Sequence, residues 1–106
     1  MDRTTLVALK CSIGKWRKIV DLKGADLGSR NCALCRKFAH YEDCIGCPVR
    51  EKSGTGHCYE TPYEAWSNHL SMHRLGRTVR CKTCSLLAQE EWEFLKSLLP
   101  RGVKRD

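Results

Sequence analysis

The chain's 106 residues are the length of one domain, and 19 basic against 12 acidic side chains leave a net charge of +7. No stretch approaches the ~20 apolar residues of a membrane span, and the opening MDRTTLVALKCSIGKW has neither the apolar run nor the cleavage site of a secretory leader. The expectation is a cytoplasmic chain with reduced thiols, whose eight cysteines read as metal ligands rather than disulfide partners.

In chain order, Leu6, Leu9, Ile13, Trp16 and Val20 recur at spacings of 3, 4, 3 and 4, which predicts a helix within residues 1–23. Thr4 or Thr5 is the expected cap, Gly14 a weak point, and Gly24 and Gly28 mark the exit loop. Cys11 falls nearly opposite the apolar stripe, on the side of Lys15 and Lys18, and is read as a surface thiol. Residues 31–60 show cysteines and glycines without helical periodicity, and read as zinc knuckles with a short hairpin from Val49 to Tyr59. Thr61, Pro62 and Glu64 have the order of a helix start, with Thr61 as cap and Glu64 completing a capping box. That middle helix covers 61–75 with Tyr63, Trp66, Leu70 and His73 as its stripe. A C-terminal helix follows over 81–99, with Leu87, Phe94, Leu95, Leu98 and Leu99 on its apolar face, then Pro100 and a frayed tail. The fold class this predicts is a small α-rich, zinc-stabilised α+β domain with three helices around a treble-clef or zinc-knuckle-like centre.

Three Cys-x-x-Cys pairs carry the strongest chemical signal: Cys32/Cys35, Cys44/Cys47 and Cys81/Cys84, with Cys58 in addition. Zinc favours tetrahedral thiolate and imidazole ligands, and two cysteines two residues apart grip one ion from a tight turn. Seven thiols are one short of two closed sites. The eighth ligand is His57, beside Cys58, or one of His69 and His73 at i, i+4 on the middle helix. In one arrangement Cys81 and Cys84, at the start of the last helix, close a site begun by Cys32 and Cys35, leaving Cys44, Cys47 and Cys58 for a second. In the other, one site closes within residues 32–58. One or two zinc ions are therefore expected.

The series SIGKWRKIV, NCALCRKF, CIGCPV, CYETPYEAW and EFLKSLLP resembles a family of small cysteine-rich zinc-binding proteins of tailed bacteriophages. That resemblance implies a protein made in the cytoplasm of a bacterial host.

The positive charge falls in two blocks. Residues 1–31 hold seven Lys/Arg against three Asp/Glu and residues 63–84 four against one, while the other two stretches balance. Lys15 and Lys18 in the first block, with Arg74, Arg77, Arg80 and Lys82 in the second, are the candidate phosphate contacts of a non-enzymatic nucleic-acid-binding module. The alternative partner is a host protein complex that the chain binds or inhibits, with Trp92 at the edge of the last helix's apolar face as an anchor. A nuclease of the treble-clef His-Asn-His type is the third reading, suggested by NHLSMH. It requires an ion with an open position, which all-thiolate sites do not offer. No small-molecule substrate motif is evident.

Overall fold

The computed structural model describes residues 1–27, 31–38, 46–54, 61–70, 79 and 81–100. They form helices α1 (Arg3–Val20), α2 (Ala33–Phe38), α3 (Pro48–Ser53), α4 (Pro62–Leu70) and α5 (Lys82–Ser97). Helix α1 packs against both α5 and α2, and α4 packs against α5.

Helix α1 buries Leu9, Ile13, Trp16 and Ile19, whose spacing is that of one helical face. Its cap is Asp2 and not a threonine: the Asp2 carboxylate accepts the Thr5 N–H at 2.7 Å and the Thr4 hydroxyl at 3.1 Å. Those bonds, the Thr5 N–H first, hold the Asp2 carboxyl down to about 2. At the other end the Lys23 N–H reaches the Lys18 carbonyl at 2.7 Å, a Schellman closure with Leu22 in the left-handed region (φ 64).

Pro62 opens α4 at the first helical position, as expected, and Trp66 on its inner face is fully buried. Helix α5 buries Cys84, Ala88, Glu91 and Leu95, flanked by half-buried Leu87, Phe94 and Leu98. Its first thiol, Cys81, is the N-cap, so Cys84 lies inside the first turn instead of opening the helix.

Among the described residues there is no strand, and the described elements are all helices. Val49, the predicted start of a hairpin, is buried in α3, since Cys47 and Pro48 start a helix there. The rest of that hairpin, the end of the middle helix beyond Leu70 and the tail from 101 lie outside the described residues. Cysteine pairs thus lead into short helices: Cys32 immediately precedes α2 and Cys47 caps α3.

Two glycines differ in what they tolerate. A Cβ on Gly14 would meet nothing within 4 Å, whereas Gly46 sits at φ +95 with the Phe38 ring 3.0 Å from such a Cβ. Gly14→Ala is therefore expected to stabilise the fold by about 0.5–1 kcal/mol. Gly46→Ala should destabilise it by at least ~1 kcal/mol, because strain and crowding add. Urea unfolding midpoints measure both.

Candidate metal centre

The last turn of α4 carries His69, and the start of α5 carries Cys81 and Cys84. Packing of α4 on α5 brings the three together, with their ligand atoms all within 4.8 Å of one another. His69 Nε2 lies 3.3 Å from Cys81 Sγ, and the two sulfurs are 3.6 Å apart. Two thiolates bound tetrahedrally at ~2.3 Å are ~3.8 Å apart, and an imidazole nitrogen at ~2.05 Å stands ~3.6 Å from each sulfur. The observed separations are close to both, so this group could hold a metal ion. Cys84 is fully buried within the first turn of the 16-residue α5, and Cys81 is its N-cap.

The histidine gathered here is His69, one of the alternatives that spacing left open. His57, Cys44, Cys58, Arg74, Arg77 and Arg80 lie outside the described residues. Cys32 and Cys35 form a separate pair: the Cys35 N–H donates to Cys32 Sγ at 3.2 Å, and neither joins the His69 group. Hydrogen bonding from the Cys35 side chain holds the Cys32 thiol down to about 6 against the effect of burial, aided by the Cys35 N–H and Lys15. A thiol so disposed is ready to ligate. Cys47 is buried at the start of α3. Cys11 is exposed, as its helical angle requires.

The interior also holds a polar centre that sequence patterning misses. Asp26, only 3% exposed, accepts the Lys15 ammonium at 2.8 Å through Oδ1. Its Oδ2 accepts the Tyr63 hydroxyl and the Trp66 indole N–H, each at 3.0 Å. Lys15, read from sequence as a phosphate contact, is therefore spent inside the fold: its side chain is 11% exposed. Lys18 and Lys82 are exposed. Glu91 is also buried, its Oε1 without a hydrogen-bond partner. Burial, then the negative charge of Cys32, raises its carboxyl to about 8. Its signal in the sequence is spacing: Glu91 is seven residues from Cys84 and four from Leu95, the middle of the apolar face. Asp26 has no such periodic signal, because it lies in a loop.

No family model, no curated protein and no solved structure matches the chain. The functional reading rests on its own residues.

Metal content should follow this geometry. His69→Ala and Cys84→Ser are expected to lose one equivalent of bound divalent metal by elemental analysis, whereas Cys11→Ser keeps the full complement.

Glu91 makes a second prediction. Its carboxyl titrates at about 8 in the folded chain against 4.5 ordinarily. Folding therefore takes up a proton between those values. Stability should be greatest below the lower one, decline as pH rises and level off above the upper one. Glu91→Gln is expected to flatten that decline in urea midpoints measured across the window.

Proposed function

We propose that the chain is a non-enzymatic, zinc-organised binding module that engages nucleic acid through basic surfaces. The observation that carries the metal half is the His69–Cys81–Cys84 group, whose soft donors suit zinc over the oxygen-seeking magnesium and calcium. A tetrahedral zinc takes four ligands, of which the described residues supply three. Bound there, the ion would pin the end of α4 to the start of α5, in the manner of a zinc knuckle or treble clef. Its binding energy would then be folding energy as well. Cys32 and Cys35, paired and with Cys32 poised as thiolate, are candidates for a second ion.

The nucleic-acid half is supported by the net charge of +7 and by α1, which carries five Lys/Arg and no Asp/Glu between Arg3 and Val20. The edge tryptophan offers less to a protein partner than its sequence position suggests. Lys96 Nζ sits 3.6 Å from the Trp92 ring centre and Arg17 is 5.9 Å from it, so cations of the chain itself occupy that ring. A nuclease reading is weakened because His69 is engaged with the Cys81 thiol and grouped with Cys84, not free as a general base. Among the described residues no helix is long and apolar enough to cross a membrane. The place of action proposed is the cytoplasm of a phage-infected bacterium.

Stripping zinc with a strong chelator should lower helicity by circular dichroism and abolish binding to a labelled nucleic acid in parallel, with both restored by zinc. Undiminished binding by a metal-free chain would separate the two halves of the proposal. Nuclease-resistant capture of one defined host protein, without nucleic-acid binding, would favour the alternative partner.

A further inference from the structure

The outward face of α1 is a built cationic surface. Residues seven apart on a helix nearly eclipse one another, which places Arg3, Lys10 and Arg17 on one stripe, with steps of ~10.5 Å. Beside that stripe run Val7, Gly14 and Lys18, all exposed. Arg3, Lys10 and Lys18 form no ion pair among the described residues. Arg17 has a long, solvent-exposed contact to Asp21 at 3.8 Å and stands 5.9 Å from the Trp92 ring centre. Beyond Val7, on that same side, the face descends into a shallow groove between α1 and α2 whose lining includes Thr4, Val7, Cys11, Ala33 and Arg36. Lys37 ties the groove's end to Thr4 through a 2.7 Å hydrogen bond. The groove is thus bordered by cations on both sides and holds small or aliphatic side chains between them.

We infer that this α1 face and the adjoining groove dock the sugar–phosphate backbone of double-stranded nucleic acid, without reading its bases. The inference rests on the nucleic-acid reading above and assigns it a surface and a ligand form. Charge complementarity selects a polyanion. Single-strand binders add aromatic platforms on which bases stack, and this groove has no aromatic lining. A duplex instead presents a negative charge every ~1.7 Å of its axis with both strands counted, so the ~27 Å length of α1 spans a segment that carries about sixteen of them, part of which face the helix. Gly14, at the middle of the face with open space above it, lets a phosphate approach the helix backbone. Lys15 does not contribute, being turned inward to Asp26.

The test is fluorescence anisotropy of a mixed-sequence 20-base-pair duplex and of its single strands against salt, using the zinc-loaded chain. The wild type should prefer the duplex, with little dependence on its sequence. Lys10→Gln with Lys18→Gln should bind more weakly, and the slope of log affinity against log salt should flatten by about 0.9 per cation removed. Both residues are exposed, so circular dichroism should be unchanged. Saturating duplex should also slow alkylation of Cys11, the exposed thiol in the groove. Unaltered binding by the α1 double variant, with binding lost in Lys82→Gln and Arg77→Gln, would overturn this surface while sparing the nucleic-acid reading. Preference for the single strand, or a Cys11 alkylated at the same rate with and without duplex, would overturn it as well. No binding of the wild type to any nucleic acid at low salt would remove both.

Discussion

A buried carboxylate orients the molecule. Asp26 is held almost out of solvent in the loop after α1, and its two oxygens accept one ammonium, one phenol and one indole. Burial of a charge is tolerable only when it is paired and its lone pairs are used, and here both conditions hold. The donors come from α1 and α4, so the loop, the first helix and the fourth cannot shift independently. Loss of one partner from such a pair costs about 3–5 kcal/mol, a large share of a small domain's stability. Trp16 completes the joint, meeting Tyr63 and Trp66 edge-on at 5.9 and 5.1 Å.

From that joint the metal group follows. Fixing Tyr63 and Trp66 fixes the direction of α4, and three residues after Trp66 the helix delivers His69 to the start of α5. Helix α5 in turn packs on α1 through the face that carries Cys84, Ala88, Glu91 and Leu95. Asp26 and the His69 group therefore brace α4 from its two ends. The same arrangement sorts the cations of α1. Lys15 is consumed by Asp26, while Arg3, Lys10 and Lys18 point outward and remain available to an acidic partner.

How much of this was legible depends on the kind of constraint. The long helices announce themselves, because Leu9, Ile13 and Trp16, or Leu95 and Leu99, repeat with the helical period and the structure buries them. Helices α2 and α3 are six residues each, too short for any period to develop, and they begin where cysteine-bearing turns place them. Asp2 displaced Thr4 and Thr5 as cap because a carboxylate accepts the Thr5 N–H with a full charge. Lys15 misled for a related reason: a lysine beside Trp16 looks like a surface cation until a loop eleven residues later returns Asp26 to it. Bringing His69 to Cys81 and Cys84 needed tertiary packing, since spacing places histidines near the thiols but does not say which helix end meets which.

Metal-edge X-ray absorption of the zinc-loaded chain is the most direct test of the claim that His69, Cys81 and Cys84 share an ion. The account predicts sulfur scatterers near ~2.3 Å together with a nitrogen near ~2.0–2.1 Å, the nitrogen contribution falling in His69→Ala. A shell made only of oxygen and nitrogen, or an unchanged spectrum in that variant, would contradict it.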